Sequence, residues 1–196
     1  RGDGEKLREQ ILDAASRLLV ETGDEDDVSI RAVAEAVGVT APSIYLHFAD
    51  KTELIFAVCE RYFDELDRIT SEAARGSEDP VEAIELRGRA YIRFGLDNPE
   101  PYRVIFMRKP ADTPLPWQYE RIVTSSAFGH LVDDVTRAIE AGRVEGEPML
   151  VSVSLWAAVH GITSLMISKP GFPWPDLDLV IDQAVRMALL GVVPRS

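Results

Sequence analysis

The amino-acid sequence predicts an all-α fold, about nine helices: an N-terminal three-helix domain built on a helix-turn-helix, followed by a C-terminal helical bundle. Three observations carry this expectation. Apolar residues recur at three- and four-residue steps from Leu7 to Leu189, no stretch shows the two-residue alternation of a strand, and no segment repeats. The domain boundary is expected between Asp50 and Lys51, giving residues 1–50 and 51–196.

In chain order, the first helix is expected over Glu5–Glu21, where Leu7, Ile11, Ala14, Ala15, Leu18 and Leu19 form one face and Thr22-Gly23 stops it. The second follows a Ser29 cap, with Ile30, Val33, Ala34 and Val37 apolar and Gly38 ending it. Thr40 caps the third; Pro42 sits in its first turn, and Ile44, Leu46 and Phe48 are expected as apolar anchors. Two helices joined by so short a glycine turn make a helix-turn-helix, whose second helix enters a DNA major groove.

Asp50 and Glu53 are spaced as a capping box for a long helix reaching about Ala74 through Leu54, Ile55, Val58, Tyr62, Phe63, Leu66 and Ile69. Arg75–Pro80 breaks the pattern. Val81–Leu96 is helical but interrupted by Arg87-Gly88-Arg89, residues 99–107 read as a short helix, and the three prolines of 109–117 read as a loop. A helix from Trp117 to Ala141 is expected next. The uncharged stretch Met149–Ser168 is then expected to be covered nearly all round, and Asp176–Leu190 closes the chain.

The totals bound the function. At 196 residues and 46% hydrophobic the chain can bury a real core, and its single cysteine, Cys59, closes no internal disulfide. No secretory leader and no uninterrupted apolar run of about 18 residues is read, so a cytoplasmic protein without a membrane partner is expected. The net charge of −12 argues against nucleic acid, and residues 1–51 alone carry six cations against eleven acids. Four of those acids, however, form the single run Asp24–Asp27 before the helix-turn-helix, a pattern usual for solvated loop. His130, His160, Asp133 and Asp134 show no metal-ligand spacing, and no nucleophile motif is present, so no enzyme, metal or cofactor is expected.

Ala14-Ala15, Leu18-Leu19 and Gly23, then Ser29–Val39, Ser43-Ile-Tyr-Leu-His-Phe48 and Lys51-Thr-Glu-Leu-Ile55, resemble the DNA-binding domain of TetR/AcrR-type bacterial transcription regulators. Trp156-x-x-x-His160-Gly161 resembles the C-terminal domain class of that family named for Trp, His and Gly. The resemblance implies a double-stranded DNA operator, a small-molecule effector and a homodimer, and phosphate contact for Tyr45 and His47.

Candidate DNA contacts are Ser29, Arg31, Thr40, Ala41, Pro42, Ser43, Tyr45, His47 and Lys51. Thr40 to Ser43 are small enough to let the backbone approach base edges, Thr40 doubling as a cap, and Lys51 sits where a helix N-terminus already favours phosphate. The recognition helix carries no arginine, so the commonest guanine contact is missing there. Tyr91, Phe94, Tyr102, Phe106, Trp117, Phe128, Trp156 and His160 are candidates for an apolar ligand site, with plain core packing as the competing role. Ser154, Ala158, Gly161, Leu165, Ile181 and Val185 are candidates for a dimer contact through the last two helices. The function expected is a ligand-responsive regulator, a repressor released by a small apolar or amphipathic molecule. The alternative is a helical small-molecule-binding protein without DNA function.

Overall fold

A computed structural model describes residues 2–23, 26–107 and 127–192. Nine α-helices and no strand lie among them: α1 (Gly2–Thr22), α2 (Ile30–Val37), α3 (Ala41–Tyr45), α4 (Lys51–Ala73), α5 (Pro80–Asp97), α6 (Pro99–Tyr102), α7 (Ala127–Glu140), α8 (Pro148–Ser168) and α9 (Leu177–Leu190). A π-helical turn, Arg103–Met107, continues α6. Trp117 and the expected start of the helix from 117 lie outside the described residues.

By contact the chain forms two units, residues 1–62 with 100–108, and residues 63–99 with 109–196. The division therefore falls inside α4, between Tyr62 and Phe63, rather than at its first residue. Leu54, Ile55, Ala57 and Val58 on its first turns belong to the same core as Ile11, Leu19, Val33, Ile44 and Phe48, and this ties the start of α4 to the first unit.

In that unit α1 packs on α2 and α2 on α3. The turn between α2 and α3 works as the sequence suggests: Gly38 takes φ 80°, a left-handed conformation that a side chain would strain, and its N–H closes on the Ala34 and Glu35 carbonyls. Ser29 caps α2 by accepting from Ala32 N–H at 3.1 Å. Asp50 accepts from Glu53 N–H at 2.8 Å while Glu53 accepts from Ala49 N–H at 2.6 Å, so the capping box forms, one residue displaced on its return arm.

In the second unit α5 packs on α7, α8 and α9, and α8 on α7 and α9. The expected interruption of α5 is absent, and the residues that suggested it explain its packing. Arg87 reaches Asp134 of α7 at 2.6 Å, Arg89 reaches Asp182 of α9, and a Cβ on Gly88 would stand 3.6 Å from Val159 of α8 and 3.5 Å from Val185 of α9. Arg87 thus faces α7, Gly88 faces α8 and α9, and Arg89 faces α9.

Helix α8 is long and apolar enough by length and composition to cross a membrane, with a mean hydropathy of 1.7. The apolar run is not uninterrupted, since Ser152, Ser154, His160, Thr163 and Ser164 lie within it. Its inner face, Val151, Ser152, Leu155, Val159, Thr163 and Ile167, is buried in the unit. Ser152 and Thr163 satisfy their hydroxyls on the Pro148 and Val159 carbonyls one turn back, at 2.7 Å each. The opposite face is open in the single chain: Met149, Leu150, Val153, Ser154, Ala157, Ala158, Gly161 and Leu165 are exposed.

Candidate nucleic-acid interface

Helix α3 is five residues long and is held by one buried anchor, Ile44. After Tyr45 the chain tightens: the N–H groups of His47 and Phe48 both close on the Ile44 carbonyl, at 2.9 and 3.1 Å. This drops Phe48 into the core, where the Arg8 guanidinium lies 5.0 Å from its ring centroid. Leu46 goes the other way. Expected as an anchor, it is 83% exposed, because a residue two positions from a buried one lies about 200° round a helix.

The remaining candidates in this unit fall on or beside α3. Pro42 and Tyr45 are exposed, Ala41, Ser43 and His47 half-buried, and Arg31 and Ser29 exposed at the start of α2. Thr40 holds the N-cap position of α3, yet its hydroxyl makes no cap bond and lies 3.0 Å from Ser43 Oγ. Both hydroxyls therefore face outward together. The N-terminal turn of α1 borders His47, since a Cβ on Gly4 would stand 3.9 Å from the imidazole. Lys51 Nζ lies 4.0 Å from Asp26 Oδ1, so the acidic run before α2 reaches the lysine expected to meet phosphate.

The second unit gathers four of the other candidates. Trp156 Nε1–H donates to the Tyr91 hydroxyl at 3.1 Å, that hydroxyl lies 3.2 Å from His160 Nδ1, and Ser164 Oγ lies 3.2 Å from His160 Nε2. Phe128 meets Trp156 edge-on at 5.7 Å. Burial pushes the His160 pKa down from its ordinary 6.5. Phe94 is buried on α5, whereas Tyr102 and Phe106 meet at a tilt in the first unit, their ring centroids 4.9 Å apart.

A second polar cluster includes His130 and Asp134, set aside above as metal or acid-base candidates, together with three residues the sequence reading did not single out for a site. Arg87 donates through Nε to Asp134 and through Nη1 to Ser71 Oγ at 3.2 Å; Ser71 donates to Asp67 at 3.3 Å, and His130 Nδ1 lies 2.8 Å from the same carboxylate. It joins α4, α5 and α7. Its contacts between helices join residues 16 to 63 apart, although Asp67 and Ser71, like His130 and Asp134, stand one turn apart on a single helix.

Of the dimer candidates, Ser154, Ala158, Gly161 and Leu165 lie on the open face of α8. Ile181 and Val185 do not reach the surface. At 2% and 3% exposure they belong to their own chain's core, and the assignment is corrected: α9 instead exposes Leu179, Met187 and Leu190.

A short helix carried outward on two supporting helices, with hydroxyls, a phenol and an imidazole beside it and a lysine at the next helix start, defines a helix-turn-helix DNA-binding protein. The chain belongs to the TetR family of transcription regulators. Residues 11–58 match the profile of the bacterial regulatory proteins of the tetR family, and residues 84–188, more than half the chain, match that of the tetracyclin repressor-like C-terminal domain. That second description does not mention a Trp-His-Gly class.

Among curated relatives, the HTH-type transcriptional activator FasR of Mycolicibacterium smegmatis is 26% identical over 78% of this chain and 68% of its own. The HTH-type transcriptional repressor Rv1474c of Mycobacterium tuberculosis is 35% identical, over 35% of this chain and 34% of its own. A Rhodococcus protein of unknown function shares the fold at a TM-score of 0.81 and 24% identity, covering 96% of both chains. A TetR family regulator from Marinobacter aquaeolei does so at 0.78 and 20%, covering all of both. The protein is a DNA-binding transcription regulator, not an enzyme.

Proposed function

We propose that two copies of this chain form a homodimer that binds a pseudo-palindromic operator and leaves it when a small apolar or amphipathic molecule occupies the second unit. The observation that carries the dimer is the open apolar face: Leu150, Val153 and Leu165 on α8 and Leu179, Met187 and Leu190 on α9 are all exposed in one chain. Apolar surface of this extent on two neighbouring helices is the usual mark of a protein contact. Ser154, Ala158 and Gly161 would let the second copy's helices approach closely, and the two recognition helices would meet successive major grooves about 34 to 36 Å apart. Light scattering at micromolar concentration is expected to give twice the 21.7 kDa chain mass. A monomer alone would overturn the arrangement.

Thr40, Ala41, Pro42 and Ser43 would lie against base edges, with Ser29, Arg31, Tyr45, His47 and Lys51 on phosphates. The ligand would meet the rings of Phe94, Phe128 and Trp156 and the polar tips of Tyr91 and His160, all in the second unit. Because α4 carries residues of both units, strain on its second half reaches the first through one continuous helix. Ligand and operator affinities are then coupled equally in both directions. The output expected is repression relieved by ligand; activation is the competing output, favoured by the name of the M. smegmatis relative. Mass spectrometry of the co-purified molecule, followed by electrophoretic shift with and without it, tests the coupling. Equal operator affinity in both states would contradict it.

A further inference from the structure

The outermost line of the recognition helix is apolar. With Ile44 buried, the positions about 200° round from it are Pro42 and Leu46, four residues apart and so on one ridge, and both are exposed. Neither side chain can donate or accept a hydrogen bond, and Pro42 has no backbone N–H. The groups able to hydrogen-bond, Ser43 and Tyr45, lie on the two flanks of this ridge. A groove floor meeting this helix therefore meets carbon first.

The major groove displays donors and acceptors on every base pair but only one apolar group, the 5-methyl of thymine. A donor or acceptor facing Leu46 would lose water and gain no partner, which penalises every other base edge there. We propose that Leu46 is a specificity-determining residue that reads a thymine methyl, with Pro42 bordering the same contact, so that the operator carries a fixed thymine at one position in each half-site. Leu46 was not among the residues expected to touch DNA. The proposal rests on α3 being the DNA-reading helix and adds which base it selects.

The test separates the two. An operator is first selected from random double-stranded DNA with the wild-type protein. Each thymine is then replaced by deoxyuridine, symmetrically in both half-sites, which deletes the methyl and leaves base pairing intact. Wild type and Leu46→Ala are titrated against every replacement at one salt concentration. Leu46 is so exposed that its truncation leaves the fold unchanged, which the thermal midpoint checks.

One thymine per half-site is expected to matter to the wild type, its methyl contributing about fourfold in affinity, or about fifteenfold for the pair. Leu46→Ala is expected to bind the methylated operator more weakly and to be indifferent to the methyl at that one position. An operator in which every replacement affects wild type and Leu46→Ala alike, or affects neither, overturns the proposal while leaving the DNA reading intact. A wild-type protein that enriches no sequence removes the DNA reading, and the proposal with it.

Discussion

The two units close their interiors by different means. Among the described residues the first buries aliphatic side chains, Phe48 and Tyr102 with its hydroxyl; the second also buries Thr70, Asp134, Ser152 and Thr163. Apolar packing has no direction beyond shape, and a core of that kind suits a support whose task is to hold a five-residue helix still. Buried polar groups must find partners at fixed distances and angles, so each contact fixes one arrangement of helices and opposes others. Helices α4, α5 and α7 are joined in this second way through Arg87, Asp134, Ser71, Asp67 and His130. A unit joined by directed contacts is the better candidate for two discrete states, because exchanging partners costs less than repacking a core.

The largest expected effect falls on the first unit. Tyr45→Ala with Lys51→Ala should weaken operator binding by at least about a hundredfold in an electrophoretic shift, as loss of two charge-assisted or hydroxyl contacts in each of two copies implies. The thermal transition should hardly move, since Tyr45 is 54% exposed. A variant that lost stability as well would show that reading and support are not separate.

Next comes the second unit's interior. Asp134→Ala leaves the Arg87 guanidinium nearly buried without its carboxylate, and denaturant unfolding should report a loss of about 3 to 5 kcal/mol. Asp134→Leu combined with Arg87→Met should recover most of it, because the pair is then removed together with its desolvation cost. If the double variant is as unstable as the single one, packing rather than charge holds the site.

How much of this was legible follows the range of each interaction. The helices, the Gly38 turn and the caps at Ser29 and Asp50 are local, and periodicity with residue type exposes them. The Trp156 and His160 pairing was visible for the same reason, as two residues one turn apart. Arg87-Gly88-Arg89 looked like a break because its meaning lies in three different helices, none nearby in sequence. Leu46 looked like an anchor because a period read off a five-residue helix is too short to fix its phase. The face of α9 was misjudged for another reason: Ile181 and Val185 on one side and Leu179 and Met187 on the other are equally apolar, so composition cannot say which side turns inward.

A smaller effect concerns pH. Burial lowers the His160 pKa in the folded chain below the unfolded value, about 6.5, so both states are neutral above that pH and the unfolded chain takes the proton first below it. Stability from this residue is thus full above about pH 6.5 and declines as pH falls towards the folded pKa. His160→Gln should flatten that part of a stability profile measured by denaturant melts, and an unchanged acid slope would remove the residue from the account.

Smallest is the acidic run. Asp26 faces Lys51 across an exposed 4.0 Å pair, worth about 1 kcal/mol or less. Asp26→Asn should tighten DNA binding up to about fivefold at low salt, with the gain fading as salt rises. Weaker binding by the variant would show that Asp26 positions Lys51 rather than competing for it.

That the first unit reads operator DNA is tested by selection from a random double-stranded library with the wild-type protein and with Tyr45→Ala/Lys51→Ala. A two-fold symmetric sequence, half-sites one helical turn apart, is expected to be enriched by the wild type and not by the variant. No enriched sequence with the wild type, or the same one with both proteins, would contradict that reading.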